Sequence, residues 1–152
     1  MNKDRIIDSS KLHILSIKTI KGNINAEQYD EAIAIDGHQF NINVEEGFDY
    51  DKKIMGITIE VNIVAMNNAI GELPITGSYT HEIIFEIDNL HDFIDANTEN
   101  DSTHYLMDAT MTVTAISIAF STIRGIIFNR TQGTSLSSVI LPIIDPKEFV
   151  KK

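Results

Sequence analysis

The chain has 152 residues, 43% of them hydrophobic, with 22 acidic against 12 basic side chains, a formal charge of −10 and no cysteine. The acidic balance argues against a nucleic-acid binder, which needs a basic patch to displace phosphate counterions. The missing cysteines exclude disulfides, thiolate metal sites and Cys nucleophiles.

At this length and a mean hydropathy of −0.03, the expectation is a single domain over 1–152 that buries roughly 70% of its unfolded surface. Residues 1–10 are polar and expected to fray. Met1-Asn2-Lys3-Asp4-Arg5 leads into no apolar stretch of signal-peptide length, so a cytoplasmic location is expected. Leu12 to Ile20 reads as a first strand, its β-branched content outweighing imperfect alternation. Gly22-Asn23 then suggests a turn, and Asn25 to Asp36 a crossing loop with strand character around Ala32 to Ile35.

Gln39 to Phe48 alternates, with Phe40, Ile42 and Val44 against Asn41, Asn43 and Glu45. After the turn Asp49 to Lys53, Ile54 to Met66 sets Ile57, Ile59, Val61 and Ile63 against Thr58, Glu60 and Asn62. Beyond Asn67 to Glu72, Leu73 to Ile87 puts Ile75, Tyr79, Ile83, Phe85 and Ile87 opposite Thr76, Ser78, Thr80, Glu82 and Glu86. Strands with one apolar face joined by short turns predict an antiparallel sheet with one wet side. Asp88 to Asp101 reads as an acidic connector.

From about Thr103 the period becomes helical. Tyr105, Ala109, Val113, Ile116, Phe120, Ile123 and Ile127 form one stripe, and Met111, Ala115, Ile118 and Ile126 a second. The Thr and Ser content and Arg124 interrupt the stretch too often for a membrane crossing, so no membrane insertion is expected. Gly133 is the natural stop, and Arg130 near the end complements the helix dipole. A helix packed on the sheet gives an α+β class. The second stripe has no obvious partner within one chain, which predicts an oligomer interface at Met111, Ala115, Ile118 and Ile126.

Signs of catalysis are lacking. Asp95, Asn97, Glu99 and Asp101 alternate like the start of a calcium loop, but Asn100 stands where its Gly belongs and Leu106 where its final Glu belongs. His81-Glu82 lacks the second His of a zincin and lies in a strand; His13, His38, His91 and His104 are scattered. There is no Gly-x-Ser-x-Gly and no Gly-rich phosphate loop. No cofactor, metal or catalytic residue is assigned. Arg124, in the polar band of the helix, is expected to pair with a carboxylate or a loop carbonyl.

The order of features from Gly37 to Pro146 resembles the SecB family of protein-export chaperones and its SecB-like relatives. The resemblance is carried by Gln39-Phe40-Asn41-Ile42-Asn43-Val44, Gly56-Ile57-Thr58-Ile59-Glu60-Val61-Asn62-Ile63, Ile84-Phe85-Glu86-Ile87 and the helix with Ile123-Arg124. It closes on Gly133-Thr134 and Ile140-Leu141-Pro142-Ile143-Ile144-Asp145. The resemblance implies a four-stranded antiparallel sheet with one long helix and a short C-terminal helix on one face, assembled as a dimer of dimers. It also implies a holdase without enzymatic activity that keeps unfolded clients in apolar grooves without ATP. Export members hand clients to the SecA motor and carry an acidic residue on the open face of the last strand where this chain has Ser78. A dedicated partner, such as an antitoxin, therefore stays open beside general protein export.

Apolar residues beside turns or beyond the helix are the candidates for client contact: Phe40, Ile42, Val44, Phe48, Ile143, Ile144 and Phe149. Two alternatives stand beside the chaperone reading. One is a small-ligand binder or enzyme on a hot-dog-like scaffold, and the other is an oligomeric scaffold whose apolar surface is used up in self-assembly.

Overall fold

The computed structural model describes residues 5–26 and 30–150. Strands β1 (Leu12–Asn25), β2 (Gly37–Asp49), β3 (Ile54–Asn67) and β4 (Gly71–Ile87) form one antiparallel sheet in the order β1-β4-β3-β2. The pleat explains its two faces. Odd-numbered residues of β3 and β4, from Met55 to Ala65 and from Leu73 to Ile87, are buried, while Thr58, Glu60 and Asn62 stay half-buried on the other side. In β2 the even residues Phe40, Ile42 and Val44 join the inner face, opposite Ile63, Val61 and Ile59.

Helix α1 (Ala109–Thr131) crosses the inner face of β3 and β4. Asp108 caps it, its Oδ1 accepting from Thr110 N at 2.9 Å. The chain then leaves through Gly133, at φ +75, where a left-handed backbone costs glycine nothing. The following segment seats Leu136, Val139 and Leu141 in the core and leads to a 3₁₀ turn, Pro146–Phe149, where the short C-terminal helix is expected.

Several expectations need correction. The helix begins at Ala109 rather than near Thr103, because residues 94–107 form a hairpin of β5 (Ile94–Glu99) and β6 (Ser102–Met107). Asn100 and Asp101 turn it with φ of 48 and 64, the left-handed pair of a type I′ turn. The acidic connector is therefore a turn with the 3₁₀ segment Leu90–Phe93 followed by the first strand of this hairpin, and Tyr105 belongs to its second strand rather than to the helix. Gly22 and Asn23 make no turn; they lie inside β1 opposite Tyr79 and Ser78. The Tyr79 ring comes 3.5 Å from where a Gly22 Cβ would stand.

Residues 30–36 form a turn and coil without the expected strand at 32–35, although Ile33 and Ile35 pack against the core. Of the residues expected to fray, Met1 to Asp4 lie outside the described residues. Arg5 is held, its Nη2 donating to Asp95 Oδ1 at 2.5 Å and its Nη1 to Asp108 Oδ2 at 3.2 Å. That pairing raises the Arg5 pKa and lowers that of Asp95.

The helix has one wide buried arc instead of two stripes. Met111, Ala115, Ile116, Ala119, Ile123 and Ile127 are at most 1% exposed, so about half the helix circumference is buried in the chain's own core. Tyr105 and Ala109 are exposed, and Val113 is half-buried. By length and mean hydropathy α1 also suits a bilayer crossing, and 44% of its most apolar window is buried within the chain.

Candidate functional site

The seven candidate contact residues fall into separate places. Ile42 and Val44, on the inner side of β2, meet Phe149 from the C-terminal turn at a cleft of about 670 Å³. Phe149 is held there by its turn, in which the Asp145 carboxylate accepts from Lys147 N at 3.0 Å. A neighbouring cleft of about 320 Å³ is lined by Phe48 and by Gly47 and Gly56, which face each other across β2 and β3. The two clefts share Glu45 and Thr58, so the surface from Phe149 to Phe48 is continuous. Phe40 lies toward the opposite end of β2, its ring 6.3 Å from that of His38.

Ile143 and Ile144 sit elsewhere, beside the outer side of α1. Ile143 is 87% exposed, and both residues border a small cleft of about 90 Å³ with Phe120, Ser121 and Arg124. Ser121 and Arg124 also border an adjoining cleft of about 290 Å³ beneath Phe128 and Ile140. Arg124 pins this region, Nε donating to Leu141 O at 3.2 Å, the loop carbonyl of the two partners expected.

The β2 clefts are acidic, with Glu45, Asp49, Glu60 and Glu82 on their walls. On the outer face Glu60 Oε1 accepts from Asn62 Nδ2 at 2.9 Å and Asn43 Nδ2 at 3.3 Å, and Ser78 Oγ donates to Asn62 Oδ1 at 2.8 Å. This ladder keeps the wet face polar while Ile57, Ile59 and Val61 are fully buried on the other side, the register that the alternation predicts.

On the inner face, His81 is 0% exposed and neither ring nitrogen has a hydrogen-bond partner in the structure. Burial lowers its pKa, and the nearby Arg130 guanidinium lowers it further. Arg130 itself donates to Thr19 Oγ1 on β1 at 3.2 Å. His38 is also held below its ordinary value by burial. No group of three or more metal-ligating side chains gathers among the described residues.

Of the four residues expected at an oligomer interface, Met111 and Ala115 are 1% and 0% exposed within the single chain. The premise that they have no partner is corrected: both belong to the core of the single chain. Ile118 and Ile126 are half-buried. Sequence reasoning missed a larger apolar exposure along β1, where Ile14, Leu15, Ile17 and Ile20 are 46–54% exposed. Its signal was the broken alternation, since the pairing with β4 shifts between Ile14 and Ser16 and between Thr19 and Lys21. Leu15 and Ile20 are the extra residues of two bulges.

A four-stranded antiparallel sheet with one long helix on one face is the SecB-like architecture. No family model matches the sequence, and a comparison with curated proteins finds no match. Among solved structures the chain is similar to the Mycobacterium tuberculosis SecB-like chaperone Rv1957, determined in complex with a ChAD peptide from the Rv1956 HigA1 antitoxin. The match has a TM-score of 0.61 and 14% identity, covering 90% of this chain and 92% of that one. The likeness is one of fold.

Proposed function

We propose that the chain is an ATP-independent holdase that binds unfolded or non-native polypeptides in the cytoplasm, and that it is not an enzyme. The observation that carries this is the apolar trio Ile42, Val44 and Phe149, half-buried at an open cleft that continues to Phe48. An extended client gains roughly 25 cal/mol for each Å² of apolar surface it covers, so several shallow contacts give affinity that tolerates sequence variation. The solved neighbour's antitoxin peptide supports a polypeptide as the occupant. A dedicated partner of that kind, rather than handover to SecA, is the form of the reading we favour.

The test is suppression of aggregation of an unfolded reporter without ATP, with the Phe48→Ser, Phe149→Ser double variant beside the wild type. Suppression by the wild type and its loss in the double variant are expected. A wild type that leaves aggregation unchanged refutes the holdase, and an unchanged double variant refutes this site.

A second reading is favoured by the exposed apolar side chains of β1: a homo-oligomer, most simply a tetramer built as a dimer of dimers, in which β1 and the half-buried Ile118 and Ile126 face other copies. If self-assembly covers the β2 clefts as well, the chain is a scaffold rather than a chaperone. The same aggregation assay separates the two.

A further inference from the structure

We propose that the cleft around Arg124 binds the terminal carboxylate of a polypeptide that ends in an apolar residue. The proposal rests on the holdase reading for its ligand and adds a second site, on the outer side of α1, that reads a chain end. Arg124 borders both clefts there, and the residues that line them include no Asp or Glu. Its Nε donates to the Leu141 carbonyl, which fixes the plane of the guanidinium. No ion pair joins its Nη groups to a carboxylate among the described residues. The side chain is half-buried, so this cation has given up part of its water without gaining a counter-charge. A carboxylate that offers two oxygens to the two Nη groups supplies it in a charge-assisted pair.

The surroundings say what accompanies the carboxylate. On one side of Arg124 the cleft of about 90 Å³, walled by Phe120, Ile143 and Ile144, has space for one aliphatic side chain. On the other, the cleft of about 290 Å³ lies beneath Phe128 and Ile140, which are 49% and 66% exposed. Gly125 lines that cleft, and an added Cβ there would meet nothing within 4 Å. Glycine weakens a helix interior relative to alanine, and nothing in the chain demands its small size at this point, so the space above it suits an occupant lying close to the helix backbone. The last residue of a polypeptide carries its carboxylate and its side chain on one Cα, and so presents both groups to adjoining clefts at once. An internal Asp or Glu brings no apolar group on the same Cα. A contact between two copies centred on this cleft would bring two Arg124 guanidinium groups together, which disfavours a second copy.

The probe is the acetylated peptide Ser-Gly-Ser-Ala-Leu, titrated into the full chain as the free acid and as the C-terminal amide, with the Arg124 Nε–H and Gly125 amide signals followed by NMR. Octanoate and an amidated peptide with an internal Asp are the controls. The acid should bind about tenfold or more tightly than the amide, and both controls should bind more weakly than the acid. Arg124→Gln should abolish the difference between acid and amide. Ile143→Ser, at a side chain 87% exposed, should weaken both forms and leave their ratio unchanged, so the site stays testable if Arg124→Gln loosens the Leu141 segment. Equal binding of acid and amide to the wild type overturns the proposal, and so does octanoate binding as tightly as the peptide acid. Signals that shift with rising protein concentration alone assign the clefts to a second copy and overturn it too. A failed acid–amide comparison beside intact suppression of aggregation overturns this site and leaves the holdase standing; failure of both removes the reading beneath it as well.

Discussion

Replacing His81 by Leu should stabilise the protein, and the gain should grow as the pH falls. The imidazole is fully buried on the inner face with both ring nitrogens unpartnered, and an unsatisfied buried polar group costs about 1–3 kcal/mol. Leucine removes that cost at similar volume. The flanking groups are Thr19 on β1, Ile59 on β3, Tyr79 on β4 and Arg130 on α1. Arg130 is the charged member of that set and repels a second cation.

The folded-state pKa is therefore below the usual value of 6.5. Below that value the unfolded chain takes up a proton that the folded one resists, so this histidine's contribution makes stability rise with pH. Stability is lost as the pH falls below 6.5 and stops falling at the lowered folded pKa. The slope approaches about 1.4 kcal/mol per pH unit, giving a loss of at most about 2 kcal/mol by pH 5. Urea unfolding of wild type and His81→Leu between pH 7.5 and 5 isolates this residue, because the carboxylates and His38 are common to both. A stability difference that stays constant across that range would refute the reasoning.

Gly77→Ala should cost about 1–3 kcal/mol, because a Cβ there would stand 2.8 Å from Leu136 Cδ1; the urea midpoint measures it, and an unchanged midpoint shows that Leu136 moves aside freely. Asp108→Ala removes both the cap of α1 and a partner of Arg5, and thermal unfolding should report a loss of about 1 kcal/mol. Ile118→Asp should shift the sedimentation profile toward smaller species if Ile118 faces another copy, since an unpaired charge at an interface is costly. A wild-type chain sedimenting as a compact monomer at micromolar concentration would rule out that assembly.

The central sheet was legible because β2, β3 and β4 keep strict period-two alternation, and one register assigns every side chain to a face. The β1 bulges blurred that signal, since each extra residue resets the alternation; the strand was recognised while its length and exposed apolar side chains were missed. The hairpin hid because its turn is Asn100-Asp101 rather than the commoner Asn-Gly, and because Tyr105 happens to fall in phase with the helix. Within α1, the buried arc includes Thr112 and Thr131, which a hydrophobic count treats as polar. Thr131 Oγ1 donates to Ile127 O at 3.0 Å, so the hydroxyl is satisfied within the helix and its methyl side packs like an apolar one. The candidate contact residues were all apolar positions off the central strands. Only their folding against β2 or against α1 sorted them, and that depends on the path of residues 132–150, where no periodicity guides a reading.

The strand order has a consequence for synthesis. β1 is made first, yet its partner is β4, with Leu12 opposite Ile87, and every strand between them must emerge beforehand. At synthesis rates of about 5–20 residues per second, roughly 4–15 s separate the appearance of the two. Throughout that interval Ile14, Leu15, Ile17 and Ile20 lie on a strand whose partner has not yet been made. On the ribosome, a protein of this topology exposes an apolar strand for seconds before its own fold can pair it.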